Sequence, residues 1–150
     1  YNYGAKEYKR VLSGIKFVTI VSFIMMFVIW LAITIFPEFF IQIFTHNQKI
    51  ITHGITSLHL YFFGFFMMTF QMVGQSTAVG LGKSKQAIFF SIFRKVIIVA
   101  PLTVILPKFI GINGVFIAEA ISNFIGGGAC YITMWLTIGR KLQQKCKETV

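Results

Sequence analysis

Charge is scarce in this 150-residue chain: 12% of its residues are Asp, Glu, Lys or Arg, where a soluble domain carries about 25%. Acid is scarcer still, with 4 Asp+Glu against 14 Lys+Arg and a formal net charge of +10. Two cysteines are too few to staple a chain of this length, which excludes a disulfide scaffold. Disorder is excluded by what is abundant: 56% of residues are hydrophobic and 17% aromatic, with 18 Phe. A soluble nucleic-acid binder interleaves Lys and Arg along an exposed face. Here the basic residues stand in islands between long apolar runs, so no nucleic acid is expected as a partner. An integral membrane protein remains.

A helix crosses about 30 Å of hydrocarbon with roughly 20 mostly apolar residues. Four such runs are present, at about 17–36, 58–82, 86–107 and 112–139. The first two contain no charge, the third contains Arg94 and Lys95, and the fourth contains Glu119. Runs this long and uniform do not fit the short alternating strands of a membrane barrel, so the expected fold is all-α. The division is a junction at 1–16, a four-helix membrane domain at 17–139 and a basic tail at 140–150. Between Pro37 and Leu58, the apolar patch Phe39, Phe40, Ile43 and Phe44 reads as a short helix at the interface, and 45–49 as a polar turn.

Basic residues near helix ends mark the cytoplasmic side. Lys6, Lys9, Arg10 and Lys16 precede the first run, Lys83 and Lys85 sit in the second connection, and Arg140, Lys141, Lys145 and Lys147 follow the last run. The alternate connections hold only Lys49 and Lys108. Four crossings bring the three basic groups to one side, so both termini are expected to be cytoplasmic. The basic tail is read as a topology determinant, with recognition of anionic lipid as the lesser alternative, and membrane lipids are expected partners of the helices. No signal peptide is visible, and the chain begins with Tyr1. It reads as the downstream part of a longer protein or an excised piece.

Polar groups inside the runs are the candidate functional residues. Arg94 and Lys95 lie roughly 12 Å into the third run, and Glu119 roughly 10 Å into the antiparallel fourth. They are expected to meet near the midplane, either lining an aqueous cavity or fixing helix packing. Adjacent residues point about 100° apart on a helix. Arg94 and Lys95 are therefore expected not to face the same partner. Gln71 and Gln75, four apart, share one face of the second run. They form either a cavity wall or interhelical hydrogen bonds. Pro101 is a candidate hinge, because a proline removes a donor and crowds the preceding turn, here near Ile97. Gly126, Gly127 and Gly128, with Ser122, suit close helix approach. Met25, Met26, Met67, Met68 and Met72 form either an adaptable apolar pocket or ordinary packed surface.

His46, His53 and His59 have no metal-site spacing. Cys130 and Cys146 are expected to remain reduced. No nucleophile set, phosphate loop or metalloprotease motif is present, so no enzyme is expected.

The order of features resembles the C-terminal end of the multidrug and toxic compound extrusion (MATE) transporters, in their MepA-like branch. Tyr1-Asn2-Tyr3-Gly4-Ala5-Lys6 is similar to that family's junction after its eighth helix. Phe36-Pro37-Glu38 with Ile43-Phe44-Thr45 is similar to the end of the ninth. Leu60-Tyr61-Phe62, Gly64-Phe65 and Phe70-Gln71 resemble the tenth, and Gly80-Leu81-Gly82-Lys83 the turn after it. Arg94-Lys95-Val96-Ile97, Pro101-Leu102 and Ile105-Leu106-Pro107 resemble the eleventh. Gly114-Val115, Ala118-Glu119 and Ile121-Ser122-Asn123 resemble the twelfth. Lys95 stands where MepA-like members usually carry Gln, and Asn123 where they often carry Asp.

The resemblance implies four helices of the C-terminal lobe of a twelve-helix transporter, partnered by the preceding helices and the N-terminal lobe. It implies export of lipophilic or cationic small molecules by antiport with H+ or Na+ and alternating access, without a cofactor. The implied location is a bacterial inner membrane. Substrate-cavity candidates are Met68, Gln71, Gln75, Arg94, Lys95 and Glu119. Two alternatives remain: a lipid-linked saccharide flippase of the same superfamily, and a non-transporting membrane scaffold.

Overall fold

The chain folds as four long helices, seen in a computed structural model that describes residues 1–148. Each is long and apolar enough to cross a membrane: Tyr8–Ile35, Gln48–Gly80, Ser84–Ile110 and Asn113–Glu148. The shortest has 27 residues, or about 40 Å at 1.5 Å per residue, more than the hydrocarbon requires. The helices therefore run past the apolar stretches into the polar flanks. Helix α1 (Tyr8–Ile35) starts ahead of the apolar run at Phe17.

The breaks have local causes. Phe36 leaves helical geometry (φ −119, ψ 51) because it precedes Pro37. Pro37 then opens the short helix α2 (Pro37–Gln42), where its missing N–H is not needed. Asn47 caps α3 (Gln48–Phe62), its side chain accepting from the Lys49 N–H at 3.0 Å. The second crossing is not one uninterrupted helix. After Phe63 the chain enters the left-handed region at Gly64 (φ 75), makes a 3₁₀ turn at Phe65–Met67, and resumes as α4 (Met68–Gly80). A β-carbon at Gly64 would stand 2.1 Å from the Phe124 ring, so the break lets α4 and the fourth crossing approach. Beyond α4, the Lys83 N–H reaches back to the Ala78 carbonyl at 2.7 Å, with Gly82 at φ 74. This is a glycine-closed helix end.

The third crossing comprises α5 (Ser84–Ile92), a π-helical stretch at Phe93–Val99 and α6 (Ala100–Ile110). That stretch covers Ile97, where Pro101 was expected to disturb the helix. A π turn relaxes the α register just where the proline cannot donate. The fourth comprises α7 (Asn113–Met134), a second π-helical stretch at Trp135–Gly139 and α8 (Arg140–Glu148).

Helix α7 is the centre, touching α3, α4, α6 and the π-helical stretch of the third crossing. Its share of buried residues is the highest of the four crossings, while α1 lies at the edge with most of its apolar side chains exposed. Rings of Phe23, Phe27, Trp30, Phe66 and Phe70 link α1 to the second crossing, and Tyr131 packs on Phe70 at 5.2 Å. At one end, Ile15, Val73, Ala78, Ala87, Met134, Ile138 and Leu142 close into a core cluster. The start of α1, the α4–α5 turn and α8 therefore share that end. It carries the three basic groups seen in the sequence.

Candidate functional site

Arg94 is placed by the π-helical stretch so that its side chain enters the bundle between α4 and α7 and is 3% exposed. A guanidinium so buried needs its donors satisfied. Nε donates to Ser122 Oγ at 2.8 Å, and Nη1 to Gln71 Oε1 at 2.9 Å. Nη2 donates to Asn123 Oδ1 at 2.5 Å and to Glu119 Oε1. Three acceptors come from one face of α7, since 119, 122 and 123 are spaced three and four apart. The fourth comes from α4. The methylene stem passes over Gly126, where a β-carbon would sit 3.1 Å from Arg94 Cγ. Arg94 thus joins three crossings at one point.

Lys95 also reaches Glu119 Oε1, at 3.4 Å, while its side chain stays 61% exposed. This corrects the expectation that adjacent Arg94 and Lys95 would not face one partner. The backbone is π-helical there, and the long lysine stem curls back across the surface to the carboxylate that Arg94 meets from inside. Two cations therefore face one carboxylate, and the cluster carries a net positive charge.

An exposed ion pair contributes little. Lys95→Gln is therefore expected to change stability by less than about 1 kcal/mol. Thermal unfolding of the full-length parent in detergent checks this; a loss as large as that of an Arg94 variant would place Lys95 inside the network.

The other candidate residues lie apart. Gln75 faces α5 and α7 beside Gln86, Phe90, Cys130 and Met134, with its Nε2 buried and without a hydrogen-bond partner among the described residues. Met68 is half-buried at the start of α4, and Pro101 is exposed in the first turn of α6. A separate cavity of about 420 Å³ lies between α1 and α4. Its walls include Ser22, Met26, Thr69, Met72, Ser76 and Thr77. Thr69 is 1% exposed, and its hydroxyl has no partner among the described residues. Of the methionines noted in the sequence, Met26 and Met72 line this cavity. The hydroxyls were not singled out, because Ser and Thr scattered through apolar helices usually bond their own backbone, as Thr19 does to the Ile15 carbonyl at 2.7 Å.

The MatE family model matches residues 1–105. No curated protein matches the chain significantly. Solved structures do. One, named protein A, is 31% identical over 91% of this chain and 31% of its own, with a TM-score of 0.84. The MATE transporter VcmN of Vibrio cholerae, in its bent form, is 22% identical over 96% of this chain and 32% of its own, at 0.81. An inward-facing multidrug resistance MATE family transporter of the MOP superfamily is 17% identical over 99% of this chain and 34% of its own, at 0.85. The chain spans about a third of the length of each.

Proposed function

This chain belongs to the MatE family of membrane transporters, and from that premise we propose that it is the C-terminal four-helix portion of a MepA-like multidrug exporter. The exporter works by alternating access and antiport with H+ or Na+. The observation that carries this reading is the buried network of Arg94, Glu119, Gln71, Ser122 and Asn123. A charge buried within membrane-crossing helices is unfavourable by roughly 3 kcal/mol on insertion scales unless it is paired or hydrated. Here it ties three crossings together through a pair whose strength depends on the charge of one carboxylate. Neutralising Glu119, or drawing a cation or substrate to it, weakens the hold of α7 on α4 and the π-helical stretch. One arrangement of the helices then becomes less favoured. The α1–α4 cavity, with Met26 and Met72 in its walls and the hydroxyls of Ser22 and Ser76 beside them, suits the body of a lipophilic compound.

The membrane is of the bacterial inner type, with the end bearing Tyr8, Lys83 and Arg140 cytoplasmic. The preceding helices and N-terminal lobe complete the pathway.

The second cation at Glu119, Lys95, favours one rival. A site with net positive charge suits a lipid-linked saccharide, whose phosphates are anionic. Ethidium efflux from cells expressing the full-length parent separates the two, with the proton and sodium gradients collapsed in turn. Efflux that stops with one gradient is expected and identifies the ion. Absence of efflux under every gradient would overturn the exporter in favour of the flippase or a static scaffold.

A further inference from the structure

Lys95 carries a charge that the rest of the chain does not balance. Arg94 and Lys95 both face Glu119 Oε1, Lys95 at 3.4 Å. The other acids, Glu7, Glu38 and Glu148, all lie outside the four apolar runs. Among the described residues two cations therefore share one carboxylate, and one positive charge is left over within the membrane.

The two cations are held differently. Arg94 is 3% exposed, and its guanidinium is also fixed by Gln71, Ser122 and Asn123. The Lys95 side chain is 61% exposed, and Glu119 is its only acceptor among the described residues. Lys95 can therefore leave Glu119 while Arg94 keeps that carboxylate paired.

Its depth excludes the usual surroundings of an exposed lysine. Lysines near the ends of membrane helices extend to the closer interface. Lys95 starts roughly 12 Å inside the nearer boundary. It turns the other way, to Glu119, whose backbone stands roughly 10 Å from the opposite boundary. The ammonium is thus held near the middle of about 30 Å of hydrocarbon, where exposure to lipid tails is strongly unfavourable. This face borders water or further protein. The chain spans about a third of the length of the solved structures it matches, so most of an exporter is available to enclose water against it.

We infer that Lys95 is the docking point for a singly charged anionic group, such as a carboxylate on an otherwise lipophilic or cationic compound. One such group brings the cluster to neutrality. Glu119 stays with Arg94, and Lys95 donates to the arriving carboxylate, a charge-assisted hydrogen bond stronger than a neutral one. A phosphate, with its larger charge, would overcompensate the single excess cation. A lysine held by one long contact and otherwise exposed suits a partner that comes and goes. This inference rests on the exporter reading and extends its substrates to zwitterions.

The test follows two dyes into energised inside-out vesicles bearing the full-length parent. Tetramethylrhodamine carries a carboxylate beside its cationic ring system. Its methyl ester keeps the shape and the cation without the anion. In Lys95→Gln the KM of the acid is expected to rise roughly tenfold relative to that of the ester. Lys95→Arg, which returns a cation to the same place, is expected to restore the ratio. Lys108→Gln, which removes a charge outside the cluster, is expected to leave the ratio as in wild type. An unmoved ratio in Lys95→Gln would mean that a carboxylate of the preceding helices already holds the ammonium, and would overturn the inference. Equal movement in Lys108→Gln would show a general field and overturn it too. Transport of the ester alone by wild type would overturn the docking point and leave the exporter standing. Transport of neither dye would remove the exporter reading itself, and the inference with it.

Discussion

Arg94→Ala in the full-length parent is expected to abolish efflux and to destabilise the bundle by roughly 3–5 kcal/mol, as removing one partner of a buried pair does. The substitution strands four acceptors at once: Gln71, Ser122, Asn123 and Glu119. Among the described residues, Lys95 is then left as the only cation on Glu119, and it sits at the surface. Arg94→Lys restores charge but not the planar fork that meets these acceptors, so partial recovery is expected. Glu119→Gln is expected to abolish efflux with a smaller loss of stability, because the amide oxygen still accepts while the charge is gone.

A double variant, Arg94→Met with Glu119→Leu, separates a moving part from a static lock. Apolar replacement of a whole buried pair is often neutral for stability. If the pair takes part in transport, the double variant regains its melting temperature and stays inactive. If the pair only fixes packing, efflux returns with stability. Unchanged efflux in Arg94→Ala and Glu119→Gln would remove both residues from the mechanism.

Gly127→Ala is expected to be among the most damaging single-methyl additions in the chain. A β-carbon there would lie 2.5 Å from the Met67 carbonyl oxygen, a backbone atom that cannot swing aside. Helix α7 would have to move away from the start of α4, where the backbone N of Gln71, the residue that accepts from Arg94, stands 3.9 Å from the same β-carbon position. Overpacking of this kind costs about 1–3 kcal/mol. Its neighbour supplies the control: a β-carbon at Gly128 meets nothing within 4 Å. Gly128→Ala is therefore expected to be neutral or stabilising by up to about 1 kcal/mol, through helix propensity. Thermal melts of the two variants in the same detergent decide this. Equal melting temperatures would mean that α7 does not rest on Met67 through Gly127.

These glycines show where a sequence pattern stops. The run 126–128 with Ser122 announces close approach, but the pattern is the same for all three. Only the facing surface separates them: Gly126 lies under the Arg94 stem, Gly127 against a backbone carbonyl, and Gly128 in the open. The same holds for Gln71 and Gln75. Their spacing puts them on one face, yet one accepts from Arg94 while the other faces α5 with its Nε2 unpartnered among the described residues.

Composition and hydropathy alone determined that the chain is an all-α membrane protein with four crossings. The reason is general: apolar length against hydrocarbon thickness leaves few alternatives, and these quantities are additive along the chain. Charge inside apolar runs also identified Arg94, Lys95 and Glu119, because a charge there is conspicuous wherever it points. Tertiary structure decided the rest. It broke the second crossing at Gly64 to admit Phe124, and replaced an α turn by a π turn ahead of Pro101. It brought both Arg94 and Lys95 to one carboxylate, and it recruited Ser122 and Asn123, ordinary residues in sequence, as ligands of the guanidinium. Such assignments depend on which surfaces of distant helices meet, and no local period encodes that meeting.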